Sequence, residues 1–224
     1  MKHWKRMALA PVLAMALSAS LKAEQPLANV LFLGDSLTAG FGLSQEESLV
    51  TRAEESLQRM GLDVQATQAG VSGDTTTGAR ARAAWSRPEN ATHAVVFLGG
   101  NDMLRGQSPD AARNNLKDIL QTYQSMPVLL IGLQAPGNLG GDEVRRWQEV
   151  FVDVAQSRDR VWFVADASAP LRDRNNRVNS RLMLPDNIHP NAQGTQEVVE
   201  HILPCLVEML TQWEPSENCS APPS

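Results

Sequence analysis

Cysteine is scarce in this chain of 224 residues. Only Cys205 and Cys219 occur, both near the C-terminus. No His or Asp pattern surrounds either, so neither is a candidate nucleophile. An even pair can bridge in an oxidising compartment, closing a loop of 13 residues that pins the tail to the last helix; the alternative is two free thiols. No Cys follows the N-terminal apolar run, which leaves no lipid-attachment site there. Lys/Arg blocks are missing from the body of the chain and the formal charge is −5, which argues against nucleic acid as a partner. Internal repeats are missing too, and no linker splits the chain. The uncharged stretch near the N-terminus, Met7 to Leu21, is short for a membrane span of about 20 residues.

With 42% hydrophobic and 20% charged residues, the composition is ordinary for a soluble globular protein of one domain. The start is unlike the rest. Lys2, Lys5 and Arg6 precede the uncharged stretch, Ala and Ser crowd its end, and Ala23 precedes the first acidic residue, Glu24. This is the layout of a secretory signal peptide over residues 1–23, cut after Ala23 or at the similar sites Ser20 and Ala19. A retained anchor is the alternative. Cleavage after Ala23 leaves 16 basic against 25 acidic residues, a net charge of −9, on a protein expected in the periplasm or outside the cell.

Beyond the leader, apolar strands alternate with amphipathic helices. Strands are expected at Val30–Leu33, Leu62–Ala66, His93–Leu98, Pro127–Leu133 and Val161–Val164. Helices are expected at Glu46–Met60, Ala79–Trp85, Ser108–Tyr123, Glu143–Ser157 and Asn191–Trp213. This order implies α/β architecture, a parallel sheet covered by helices on both faces. The domain runs over residues 24–213, and a Pro- and Ser-rich tail, loose apart from Cys219, follows over 214–224. A Gly-rich loop spans Gln134 to Asp142, and Ala165 to Leu184 has weak periodicity.

Three strands end in small or polar loops. They are Gly34-Asp35-Ser36, Ser72-Gly73-Asp74 and Gly99-Gly100-Asn101-Asp102. In a parallel sheet they lie along one edge, where ligands bind. A serine hydroxyl needs a base before it can attack. His189 is the candidate base. Asp186, three residues earlier between Pro185 and Pro190, can orient it through Nδ1. Acyl transfer also needs donors for an oxyanion, and the Ser36 and Gly73 N–H groups with the Asn101 amide can converge there. Gly70 is a second glycine in the same block. Each element alone is an ordinary turn. Their occurrence in one chain, in order, at successive strand ends, is the signal.

Together these blocks resemble the SGNH (GDSL) hydrolase superfamily over nearly the whole mature chain, and most of all its bacterial periplasmic arylesterases and acyl-CoA thioesterase/lysophospholipases. The resemblance implies Ser36 as nucleophile, His189 as base, Asp186 as its partner, and Ser36, Gly73 and Asn101 as the oxyanion hole. The Ser-Gly-Asp-Thr alignment favours Gly73 over Gly70. It further implies a three-layer α/β/α sandwich with a five-stranded sheet of flavodoxin-like order 2-1-3-4-5. No metal and no organic cofactor are implied. The partner is a small acyl ester or thioester, with transient contact with lipid and a monomeric state; the loop Gln134 to Asp142 is expected to border the acyl pocket. Rival readings are a carbohydrate O-acetyl esterase, a silent binding protein on the same fold, and a metal-dependent phosphohydrolase using Asp35, Asp74, Asp102 and Asp186.

Other polar residues are read structurally. Asp35 holds its turn, while Asp74 and Asp102 cap helices or brace loops. His201 is a surface or packing residue, and His93 has no partner pattern. Trp85, Trp147 and Trp162 belong to the core or line a pocket. Arg145 and Arg146 lie on a solvated helix face.

Overall fold

A computed structural model describes residues 28–136 and 139–222. The signal peptide expected over residues 1–23 lies outside the described residues. Five strands, β1 (Ala28–Gly34), β2 (Val64–Gly70), β3 (His93–Phe97), β4 (Val128–Ile131) and β5 (Val161–Val164), form one sheet of order β2-β1-β3-β4-β5. Every pairing is parallel, and the ladders bring Gly34 level with Gly70 on one side and Phe97 on the other. Parallel neighbours need crossovers, and the helices provide them. They are α1 (Ser36–Ala39), α2 (Leu49–Arg59), α3 (Thr76–Arg82), α4 (Gly100–Leu104), α5 (Pro109–Thr122), α6 (Gly141–Ala155) and α7 (Ala192–Thr211).

Side-chain alternation splits the core into two layers. Val30, Phe32, Val95, Phe97, Leu129 and Ile131 face α2 and α7, where Ala53, Leu57, Val199 and Ile202 meet them. Leu31, Leu33, Val96, Leu130 and Phe163 face the other way, against Ala79 of α3, Ile119 of α5 and Trp147 and Phe151 of α6. The inner strands are apolar on both faces because both faces are covered. The three-layer sandwich and its strand order are those expected.

Several boundaries differ, each for a local reason. The helix expected over Glu46–Met60 is a 3-10 turn, Gln45–Glu47, followed by α2; Ser48 divides them with an extended backbone, and its hydroxyl accepts the Thr51 N–H. β2 begins and ends later than expected because its half-exposed polar residues read as loop, whereas β5 at the other edge of the sheet is apolar and buried throughout. α3 starts at Thr76, not Ala79, because Thr75 caps it. Trp85 then falls beyond the helix and is 76% exposed, a correction to its expected place in the core or a pocket wall, whereas Trp147 and Trp162 are buried. The C-terminal segment is anchored rather than loose. The Ser216 N–H and hydroxyl both donate to the Glu208 carboxylate, Glu217–Cys219 makes a 3-10 turn, and Cys219 is bonded to Cys205 with Cα atoms 5.4 Å apart.

Candidate active site

Ser36 opens α1, a single helical turn that starts where β1 ends. Asp35 caps it, with Oδ1 accepting the Leu37 N–H at 3.1 Å. Gly40, in the left-handed region at φ 73°, closes it. The Gly40 and Phe41 N–H groups both donate to the Ser36 carbonyl. The backbone of Ser36 is therefore fixed from both sides, and its own N–H has no acceptor among the described residues.

The turn carrying Asp186 and His189 arrives from the far end of the chain. An antiparallel bridge between Met183 and Pro190 holds it, along with the Leu184 N–H bond to the His189 carbonyl at 2.8 Å. Asn191 then caps α7, accepting from the Gly194 N–H at 3.0 Å while its amide donates to the Arg181 carbonyl at 2.8 Å. Within the turn, Asp186 Oδ1 accepts the Ile188 and His189 N–H groups, and Oδ2 meets His189 Nδ1 at 2.7 Å. The His189 N–H, then its ring, then the Ile188 N–H hold the Asp186 carboxyl down to about 2. An ionised carboxylate can only accept, so Nδ1 carries the proton and Nε2 offers its lone pair. Ser36 Oγ lies 2.8 Å from that Nε2. Phe41 packs on the imidazole, ring centroids 4.5 Å apart.

The other two loops flank Ser36. Gly73 has φ 81°, which a residue with a side chain adopts only under strain, and its N–H has no acceptor among the described residues. Gly70 is different. A Cβ there would lie 2.4 Å from the Ala39 nitrogen and 2.7 Å from the Thr38 carbonyl carbon, so its smallness lets α1 pack on β2. Asn101, on the first turn of α4, donates from Nδ2 to Asp35 Oδ2 at 3.3 Å. One Nδ2 hydrogen is thereby committed, and the other remains for a ligand. Burial pushes the Asp35 carboxyl up to about 6, against the opposing pull of the Leu37 N–H, the Asn101 amide and His189.

The four aspartates of the metal reading do not converge. Asp35 serves Leu37 and Asn101, Asp74 pairs with Arg82, Asp102 accepts from the Thr76 N–H and hydroxyl, and Asp186 serves His189. No cluster of three or more His, Cys, Asp or Glu residues forms among the described residues. In the loop Gln134 to Asp142, the Gln134 N–H donates to Asp166 and Ala135 is buried; residues 137 and 138 lie outside the described residues. His201 is exposed on α7, and His93 bonds to the neighbouring Thr92 hydroxyl at 2.8 Å. Arg145 and Arg146 pair with Asp142 and Glu143 at the surface. Sequence reasoning missed Phe41, Arg82 and the Asp35–Asn101 bond. The only hint was Phe41 between two glycines.

Residues 32–197 match the GDSL-like Lipase/Acylhydrolase family, a span that holds Ser36, Gly73, Asn101, Asp186 and His189. The chain belongs to this family. Among curated relatives, Esterase TesA of Pseudomonas aeruginosa is 30% identical over 207 residues, covering 90% of this chain and 98% of that one. A thioesterase, protease and lysophospholipase of Escherichia coli is 30% identical over 165 residues, covering 72% of this chain and 75% of that one. Among solved structures, the SGNH-hydrolase family esterase AlinE4 superposes with a TM-score of 0.65 at 35% identity, covering 83% of this chain and 97% of that one. As a GDSL-like acylhydrolase, the protein is an enzyme of the serine-hydrolase type, an esterase.

Proposed function

We propose that Ser36 attacks the carbonyl carbon of an ester or thioester while its proton passes to His189 Nε2. Asp186 fixes the imidazole and stabilises the imidazolium. The carbonyl oxygen takes up negative charge and is met by the Ser36 N–H, the Gly73 N–H and the free Asn101 hydrogen. Collapse breaks the bond to the alcohol or thiol, which leaves with the proton from His189. An acyl-Ser36 ester remains. Water then gives a proton to Nε2 as it attacks that ester, and collapse releases the acid while Nε2 returns the proton to Ser36 Oγ. The observation that carries this reading is the continuous hydrogen-bonded line Ser36 Oγ–His189–Asp186, at 2.8 and 2.7 Å.

The substrates are aryl esters, short- to medium-chain acyl esters, acyl-CoA and lysophospholipids. Exposed Phe41, Val71, Leu104 and Ile188 support an apolar acyl or aryl group and transient contact with lipid, since each lies on one of the loops or turns that carry the polar groups. Every reacting group comes from one chain, so a monomer suffices. Secretion past the cytoplasmic membrane fits the basic, then apolar, leader. The test is a fluorophosphonate, which bonds phosphorus to the serine oxygen and expels fluoride. Mass spectrometry should find it on Ser36, and Ser36→Ala should be neither labelled nor active. Turnover of acetyl, octanoyl and palmitoyl esters, octanoyl-CoA, lysophospholipid and an acetylated sugar then ranks the substrates. A clear preference for the sugar would replace this reading with a carbohydrate O-acetyl esterase.

A further inference from the structure

Arg82 is 8% exposed and lies on α3, away from the groups assigned to the chemistry. Its guanidinium makes three short bonds to two separate segments. Nη2 donates to the Gly34 carbonyl at 2.8 Å, Nη1 to the Ala69 carbonyl at 2.8 Å, and Nε to Asp74 Oδ2 at 2.7 Å. Gly34 stands two residues before Ser36, and Asp74 directly follows Gly73. The β1–β2 ladder ends at the Gly34–Gly70 level. Past it, the Val71 N–H bond to the Gly34 carbonyl, at 3.1 Å, is the one backbone bond between the two segments among the described residues.

We infer that Arg82 is a positioning residue that holds the Ser36 and Gly73 backbone donors at one spacing, its guanidinium joining the carboxyl ends of β1 and β2 and the carboxylate of Asp74. The inference rests on the reading that those two N–H groups receive the oxyanion. A guanidinium is planar and presents its N–H groups in a rigid fork, so three simultaneous acceptors set the distance between the segments that own them. Lys has one tetrahedral ammonium and cannot reproduce that fork. Arg105 adds a second hold from outside, donating to the Gly73 carbonyl at 2.8 Å.

The competing explanation is that Arg82 merely neutralises Asp74, whose side chain is 12% exposed. Removing one partner of a buried ion pair strands the other charge. Arg82→Met alone therefore lowers stability under either explanation, and the double variant Arg82→Met/Asp74→Asn separates them. With both charges gone, the melting temperature should recover most of what the single variant lost. The kcat should stay down by about 10²-fold, the cost of a small misplacement at a reacting centre, with KM unchanged. Arg82→Lys should show the same low kcat, and fluorophosphonate labelling of Ser36 should slow in parallel, because that reaction also loads the oxyanion site. If the single variant fails to fold, the charge-balanced pair carries the test. Recovery of wild-type kcat in the double variant would reduce Arg82 to a counter-ion and overturn the inference; so would a loss confined to KM. Failure of the site reading looks different: wild-type protein would then escape labelling at Ser36, or Ser36→Ala would keep its activity.

Discussion

Two aspartates in this site are pushed in opposite directions, and the causes are visible. Asp186 is exposed and accepts two backbone N–H groups and an imidazole N–H, so it is held at about 2. Asp35 is buried at the end of β1 and rises to about 6, mainly through loss of solvent. The linkage signs differ accordingly. Asp186 contributes stability above its unfolded value near 4 that is lost as pH falls through 2. Asp35 binds its proton more tightly folded than unfolded. Its contribution is full below about pH 4 and is lost as pH rises through 6. Asp35→Asn removes this titration. Its unfolding free energy relative to wild type should therefore improve by about 2 kcal/mol between pH 4 and pH 7, whatever constant penalty the substitution carries. Urea denaturation at four pH values reads this difference, and a flat difference would refute the upward shift. At this scale the sequence shows that Asp35 holds its turn, because a side chain bonding two residues ahead is a local pattern. The bond from Asn101 spans 66 residues and depends on how β1 and β3 pair, so no local pattern announces it.

The α-helices nearest the chemistry are the shortest α-helices described, and they are the ones a periodicity argument cannot find. α1 has four residues and α4 five, too few to show a repeat of 3.6. Their positions depend on close packing instead. Gly70 brings the edge strand against the backbone of Thr38 and Ala39, inside the turn that presents Ser36. In Gly70→Ala, a methyl group would meet main-chain atoms that have no rotamer to change, so α1 must shift or β2 must bend. Overpacking of this kind costs typically 1–3 kcal/mol and more against backbone. The expected result is a lower melting temperature together with slowed phosphonate labelling of Ser36. A stable variant labelled at the wild-type rate would show that the contact does not position the serine. Other elements were legible where burial imposes their pattern. Val161–Val164 is an unbroken apolar run between covered faces, and α6 places Trp147, Val150, Phe151 and Val154 on one side. β2 was the least legible strand, since it is partly exposed and Gln65, Thr67 and Gln68 interrupt its apolar pattern.

Across the whole molecule, alternation of strands and helices implied a parallel sheet, but strand order followed only from the resemblance; the hydrophobic pattern of a covered strand does not name its neighbours. The same holds for the tail. Its composition reads as loose apart from Cys219, and the disulfide together with the Ser216–Glu208 bonds shows otherwise. The disulfide joins positions 14 apart in sequence, between α7 and the 3-10 turn that carries buried Cys219. Closing about 15 residues restricts the unfolded chain by about 3 kcal/mol in the chain-entropy account. Cys205 stands 13 residues into α7 from Ala192, about 20 Å along the axis from the end that carries His189. Stability and catalysis should therefore separate. Cys205→Ser/Cys219→Ser should lose about 3 kcal/mol of unfolding free energy in urea while kcat and KM, measured well below the melting temperature, stay at wild-type values. Proteolysis should then cut between Gln212 and Cys219 first, because the Ser216–Glu208 bonds alone would hold that segment. A fall in kcat in the folded double variant would mean that strain at the bridge reaches His189 along α7, and that the far end of the helix takes part in placing the base.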